Sequence, residues 1–285
     1  MSRRWPTVNF KEGENPFVTY FKKQVHYKNN CINAVATGMP GSGKSWSMLY
    51  LLSKADPSFD TDRIFFKASK MLRWINSGGL SKGKAFLFDE AGIDATNLNW
   101  WDDINKGLNA FFQTARSSNY IFGMTVPFLT FISKGVRTLM NVKLKAEGWS
   151  NDNKTIVRPH ILEYNGEIDK FYRKRLLVRE PGGSSYCNKL QLPKADQHLI
   201  DEYEKMKVEF KSNLYKNVAD KLTKYENATM NLTHRQKQYY ELRDQGYNRE
   251  EASKELGITN ILSAYQLEQR IRNKGYEIPE NGGKA

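Results

Sequence analysis

Residues Gly38–Ser45, GMPGSGKS, match the pattern G-x-x-x-x-G-K-[S/T]. Glycines at that spacing let successive backbone N–H groups turn inward around an anion, and a helix that starts at the lysine adds its N-terminal dipole. The flanks have the required order. Cys31–Thr37 (CINAVAT) is a short apolar strand candidate, and Trp46–Lys54 (WSMLYLLSK) has helical apolar character. Strand, glycine loop and helix form a phosphate-binding loop, and the residues assigned to the nucleotide are Gly38, Pro40, Gly41, Ser42, Gly43, Lys44, Ser45 and Trp46. Lys44 is expected to pair with the β- and γ-phosphates and the Ser45 hydroxyl to ligate Mg2+, so ATP and Mg2+ are the expected cofactors.

The second half of such a site follows at Lys84–Gly92, KAFLFDEAG. Ala85–Phe88 is a continuous apolar run, as a buried parallel strand requires, and Asp89 and Glu90 stand at its carboxyl end, where open α/β sheets bind ligands. Asp89 is expected to hold Mg2+ through its water shell, and Glu90 to orient and deprotonate an attacking water. A carboxylate beside the metal ligand points to hydrolysis rather than to a small-molecule kinase. Between the two motifs, Arg63–Phe66 (RIFF) is a further strand candidate and Ala68–Asn76 a helix candidate. Asp102–Arg116 is amphipathic, with Ile104, Leu108, Phe111 and Phe112 at helical spacing. Tyr120–Thr125 (YIFGMT) reads as a strand lying between the two motif strands, which puts Thr125 beside the γ-phosphate. The expected fold class is α/β, an additional-strand (RecA/ASCE-like) P-loop NTPase with a parallel sheet.

The chain has 285 residues, 39% hydrophobic, 13% aromatic and 26% charged, which is ordinary globular usage and excludes a chain disordered throughout. The longest uncharged stretch, Ser117–Ser133, is too short and too polar to span a bilayer, so no membrane segment is expected. The N-terminal MSRRWPTVNFKEG has no apolar run behind its arginines and does not read as a secretory signal. Two cysteines and four scattered histidines give no zinc-ligand spacing, and a reducing, cytoplasmic compartment is expected. The net charge is +13, which favours a polyanionic partner. The excess is uneven: Lys134–Arg179 holds eleven lysines and arginines against five acids. Lys143, Lys145, Arg173, Lys174 and Arg175 in that stretch are the expected contacts to DNA phosphates.

Ala115–Pro127, ARSSNYIFGMTVP, resembles the part of FtsK/HerA-superfamily DNA-pumping ATPases in which an arginine at a helix end precedes the sensor strand. Phe128–Gly148 is similar to that superfamily's last core segment, a short helix leading to a final strand. The superfamily includes viral genome-packaging ATPases and zonular-occludens-toxin-like phage proteins. The resemblance covers roughly residues 28 to 180. It implies that Thr125 is the polar sensor, where many relatives carry glutamine, and that Arg116 is an arginine finger completing a neighbouring subunit's site. Arg137 is a second finger candidate. The expected function is an ATP-driven translocase of double-stranded DNA, such as a viral genome-packaging motor. It would work as a homo-oligomeric ring with a capsid or portal-type partner, in the host cytoplasm if viral. Two alternatives stand beside it: an ATP-switched DNA-binding or helicase-loader-type protein, and a phage assembly or extrusion ATPase.

The organisation expected is an ATPase domain over residues 1–195, a helical connector over 196–229, a helix-turn-helix over 230–276 and a disordered tail over 277–285. In the connector Leu199, Tyr203, Met206, Phe210, Leu214, Val218, Leu222 and Tyr225 recur every three or four residues, marking one long amphipathic helix or two with a break near Asn213. Leu232–Thr259 resembles the helix-turn-helix of LuxR-type and sigma-factor region-4 domains. Gly246 would end its first helix, and Asn248 with Glu251 would cap the second. The third helix, Ile261–Lys274, would then present Asn260, Gln266, Gln269, Arg270 and Arg272 to a major groove. Residues 230–285 carry nine basic and eight acidic side chains, so a three-helix protein-docking module is the alternative there.

Overall fold

A computed structural model describes residues 6–9, 13–89, 100–229 and 232–279; of residues 100–104, 116, 221–222 and 224–229 it describes the backbone alone. The strands are β1 (Thr7–Asn9), β2 (Ile32–Thr37), β3 (Ile64–Phe65), β4 (Ala85–Phe88), β5 (Ile121–Val126), β6 (Val142–Trp149), β7 (Thr155–Asn165), β8 (Lys170–Lys174), β9 (Leu176–Glu180), β10 (Gly183–Cys187) and β11 (Leu190–Leu192). The α-helices are α1 (Pro16–Lys22), α2 (Lys44–Ala55), α3 (Ala68–Trp74), α4 (Trp100–Thr114), α5 (Lys134–Leu139), α6 (Gln197–Thr229), α7 (His234–Asp244), α8 (Arg249–Glu255) and α9 (Ile261–Arg272). The chain divides into two compact units, Met1–Phe210 and Lys211–Ala285.

The first unit is built on a mixed sheet in the order β11-β7-β6-β2-β5-β4-β3, with β8 added on β7. Strands β3, β4, β5, β2 and β6 run parallel, and β7, β8 and β11 extend the sheet antiparallel. The parallel strands β2 (INAVAT), β4 (AFLF) and β5 (IFGMTV) are buried at every position, which is why they read as unbroken apolar runs rather than as alternation. Strand β5 lies between β2 and β4, its Val126 opposite Thr37 and its Met124 opposite Phe88. The strand bearing the glycine loop and the strand ending in Asp89 are therefore separated by one inserted strand.

Alternate residues of these strands feed two cores. One joins Ala34, Ala36 and Leu144 to Phe17 and Phe21 of α1, to Met48, Leu49 and Leu52 of α2, and to Leu199, Ile200 and Tyr203 of α6. The other joins Val35, Phe86, Phe122 and Met124 to Met71 of α3, Leu108, Phe111 and Phe112 of α4, and Val136 of α5. A second sheet, β1-β9-β10, pairs β1 parallel with β9 and β10 antiparallel with it. At the start of β4, where Asp56 accepts from Ala85 N, Arg63 donates to Asp56 at 2.6 Å in a buried ion pair. Burial would raise the Asp56 pKa, but donors from Ala85, Ser58 and Arg63 outweigh it and hold the carboxyl below its ordinary value.

The first unit extends past residue 195 to Phe210, because the apolar stripe at the start of α6 is buried in its core. The connector is one continuous helix, with no break near Asn213.

The second unit holds the remainder of α6 and three short helices, α7, α8 and α9, which pack around Tyr239, Ala252, Ala264, Ile271 and Ile278. Thr233 with Gln236 and Asn248 with Glu251 form reciprocal capping boxes that start α7 and α8. Gly246 (φ +90°) and Gly257 (φ +63°) carry the turns that follow α7 and α8. At its centre the carboxylate of Glu268 accepts from Tyr239 at 2.7 Å and from Arg249 at 2.7 and 3.0 Å, with Arg243 at 3.3 Å. The start of the expected tail is packed: Ile278 is buried, and the Pro279 carbonyl accepts from Arg243. Residues 280–285 lie outside the described residues.

Candidate functional site

The glycine loop turns between the end of β2 and the start of α2. Gly43, directly before α2, has φ +87°, and a Cβ there would lie 2.5 Å from Thr155 Cγ2. Gly38 has φ +151°, and a Cβ there would lie 2.7 Å from the Ala146 carbonyl oxygen. Both positions are closed to side chains by backbone conformation and by β6–β7 behind them. Lys44 donates to the carbonyls of Gly38 and Met39, each at 2.9 Å, so its ammonium lies across the loop. The Ser42 hydroxyl is buried in the loop with no hydrogen-bond partner among the described residues. A buried donor of that kind is what an anion seated in the loop would satisfy.

At the other end of the site Asp89, fully buried, gathers hydroxyl groups. Its Oδ1 accepts from Ser45 at 2.9 Å and from Thr125 at 2.5 Å, and its Oδ2 accepts from Tyr203 at 2.5 Å. Lys207 Nζ lies 3.9 Å from Oδ2 and donates to the Tyr203 hydroxyl at 2.9 Å. Ser45, Asp89 and Thr125 are thus brought together from α2, β4 and β5, as neighbouring parallel strands require. The donors are hard oxygens, one carboxylate and hydroxyls, a set that suits Mg2+ sharing its coordination with phosphate and water. No group of three or more His, Cys, Asp or Glu fit to hold a metal occurs among the described residues.

Glu90 lies outside the described residues. Arg116 falls in the short turn Ala115–Ser118 between α4 and β5, where only its backbone is described. Arg137 is half-buried on α5, its Nε without a hydrogen-bond partner among the described residues. Trp46 packs edge-on against Trp149 (6.0 Å, 71°), and Lys194 Nζ lies 5.0 Å from the centre of the Trp46 ring.

Four further residues that contact this site belong to no sequence motif. Trp149 donates from Nε1 to the Gly41 carbonyl at 2.9 Å, and Thr155 bonds Ser47 at 3.0 Å, so the β6–β7 hairpin buttresses the loop from the side opposite Asp89 in the strand order. Tyr203 and Lys207 reach Asp89 from α6. The available signal was their spacing: four residues apart, they share a helix face.

The β6–β7–β8 end of the sheet gathers cations. Lys143 pairs with His160 and Lys145 with Arg158 across β6 and β7, while Arg173 extends the same face from β8. Burial, then Arg173 and Lys145, push the Lys143 pKa down; burial, then Arg173, Lys143, Arg175 and Arg158, push His160 down. Glu147, 3.1 Å from Arg158 and 3.8 Å from Lys145, is the acid paired with this cluster. Lys174 differs from the other expected contacts: it alternates to the opposite face and is ion-paired with Glu163, so it is not part of the cluster. On α9, Asn260 is used as the helix cap, accepting from Leu262 N at 2.9 Å. Gln266, Arg270 and Arg272 are exposed and Gln269 half-buried, beside exposed Ile261, Leu262 and Tyr265.

No family model and no curated protein matches the chain. Among solved structures, the N-terminal domain of zonular occludens toxin from Neisseria meningitidis aligns at 15% identity and TM-score 0.32, covering 50% of this chain and 93% of that one. EssC (ATPases 2 and 3) from Geobacillus thermodenitrificans aligns at 12% identity and TM-score 0.31, covering 67% of this chain and 45% of that one. Both scores are below 0.5, too low to carry a functional assignment.

Proposed function

We propose that this chain hydrolyses ATP with Mg2+ and uses the cycle to move double-stranded DNA. The observation that carries the nucleotide half is the 2.9 Å contact of Ser45 with Asp89 at the mouth of the glycine loop, with Thr125 on the same carboxylate oxygen. Bound Mg2+ would neutralise charge developing on the phosphates. Ser45 and Asp89 would hold it, Lys44 would leave the Gly38 and Met39 carbonyls for the β- and γ-phosphates, and Thr125 would keep Asp89 oriented. Glu90 is the proposed base for the attacking water. Arg116 is the proposed finger, which makes a ring of identical subunits part of the proposal.

The DNA half rests on the basic face of β6–β8. Burial and then the neighbouring cations hold the Lys143 and His160 pKa values down there, a cost to bound protons that a polyanion would relieve. Binding to duplex DNA, read by anisotropy from about 50 to 200 mM salt, should weaken with a log–log slope near −0.9 per phosphate contacted. Replacing Lys143 and Arg173 together by alanine should make that slope shallower by about 2. An unchanged slope would remove this face from the interface.

The exposed Gln266 and Arg270 of α9 favour a second reading, an ATP-switched DNA-binding protein that selects sites through that helix. Deleting residues 230–285 separates the two. A motor keeps its DNA-stimulated hydrolysis without them, whereas the switched binder loses it.

A further inference from the structure

The partners of Asp89 do not all come from the phosphate-loop core. Tyr203 and Lys207 belong to α6, which follows the last strand of the sheet and runs on to Thr229. Phe66, directly after β3, stacks on Tyr203 (6.2 Å, 28°) and on Phe210 (4.9 Å, 14°), fixing this part of α6 against the site. Tyr203 is fully buried, so its hydroxyl needs a partner, and it takes Asp89 Oδ2. A buried carboxylate in turn needs compensating charge. Lys44 donates to the loop carbonyls, and among the described residues Lys207 brings an ammonium to Asp89, donating to Tyr203 and facing the same carboxylate oxygen.

We infer that Tyr203 and Lys207 are positioning residues that set the metal affinity of the site: the Lys207 ammonium stands in for part of the divalent charge and competes with Mg2+ for Asp89. This rests on the reading that Ser45 and Asp89 hold Mg2+ with a nucleotide. Two cations cannot both lie against one buried carboxylate without mutual repulsion. With Mg2+ and nucleotide bound, the Lys207–Tyr203 pair would therefore leave Asp89, and the first turns of α6 would loosen from the site.

The test is binding of a fluorescent ATP analogue to the full chain, titrated with MgCl2. Lys207→Met should lower the Mg2+ concentration at half-saturation by about tenfold, whereas Lys207→Arg, which keeps the charge, should stay within about twofold of the wild-type protein. In the wild-type protein, hydrogen exchange over residues 199–210 should speed up on adding Mg2+ with the analogue, and this readout decides the matter even if Lys207→Met does not fold. Equal midpoints in folded Lys207→Met and wild-type protein, or exchange that Mg2+–analogue leaves unchanged, would overturn the inference while nucleotide binding stood. Wild-type protein that binds no analogue at any Mg2+ concentration would overturn the nucleotide reading, and this inference with it.

Discussion

Lys44→Ala is expected to weaken ATP binding by at least about a hundredfold, because it removes the ammonium that neutralises the β- and γ-phosphates inside the loop. The loop itself should survive. Its shape is set by the positive φ of Gly41 and Gly43, by the Trp149 bond to the Gly41 carbonyl and by Thr155 behind Gly43. The hydrogen bonds that Lys44 donates to the Gly38 and Met39 carbonyls are ones that water can replace. Titration with a fluorescent ATP analogue, beside thermal melting, separates the two effects. Lost binding at an unchanged melting temperature is the expected pair of results, and wild-type affinity in the variant would mean that the loop does not hold phosphate.

The second large effect lies in Lys211–Ala285. Glu268→Ala is expected to destabilise this unit by about 3–5 kcal/mol, because it leaves Arg243, almost fully buried, and the buried Tyr239 hydroxyl facing an empty position. Burial alone would raise the Glu268 pKa, but donors from Arg249 and Tyr239 and the charges of Arg249 and Arg243 outweigh it and hold the carboxyl below the ordinary glutamate value. A carboxyl depressed in the folded state stabilises above its unfolded pKa, and that contribution is lost as pH falls through the lower folded value. Chemical denaturation of the isolated stretch is not needed: all six tryptophans lie in Met1–Phe210, so in the full chain a tyrosine transition that the tryptophan signal does not share reports this unit. The tyrosine transition should fall to lower denaturant in the variant and, for the wild-type protein, in acid below the usual glutamate range. A variant as stable as wild type would mean that the two arginines find water instead.

The nucleotide end of the fold is legible in the sequence for a physical reason. Parallel strands covered on both faces must be apolar throughout, so INAVAT, AFLF and IFGMTV stand out, and a loop that wraps phosphate needs glycines at fixed spacing. What joins Tyr203 to Asp89 is not local. The two are 114 residues apart, and along the chain Tyr203 is one more position in the apolar stripe of a helix. The same holds for Trp149 and Gly41, 108 residues apart. Lys174 shows the converse limit: a run of three basic residues at 173–175 reads as one patch, but the strand's alternation sends its middle member to the other face, where Glu163 meets it. The packed Ile278 follows from the same cause, since a single apolar residue near a polar tail gives no periodic signal.

The most direct measurement is steady-state ATP hydrolysis by the full chain in Mg2+, with and without double-stranded DNA, from low to moderate salt. Hydrolysis that needs Mg2+, rises with added duplex and loses that stimulation as salt screens the basic face of β6–β8 is the result predicted here. No hydrolysis under any of these conditions, or a rate indifferent to DNA at the lowest salt, would contradict it.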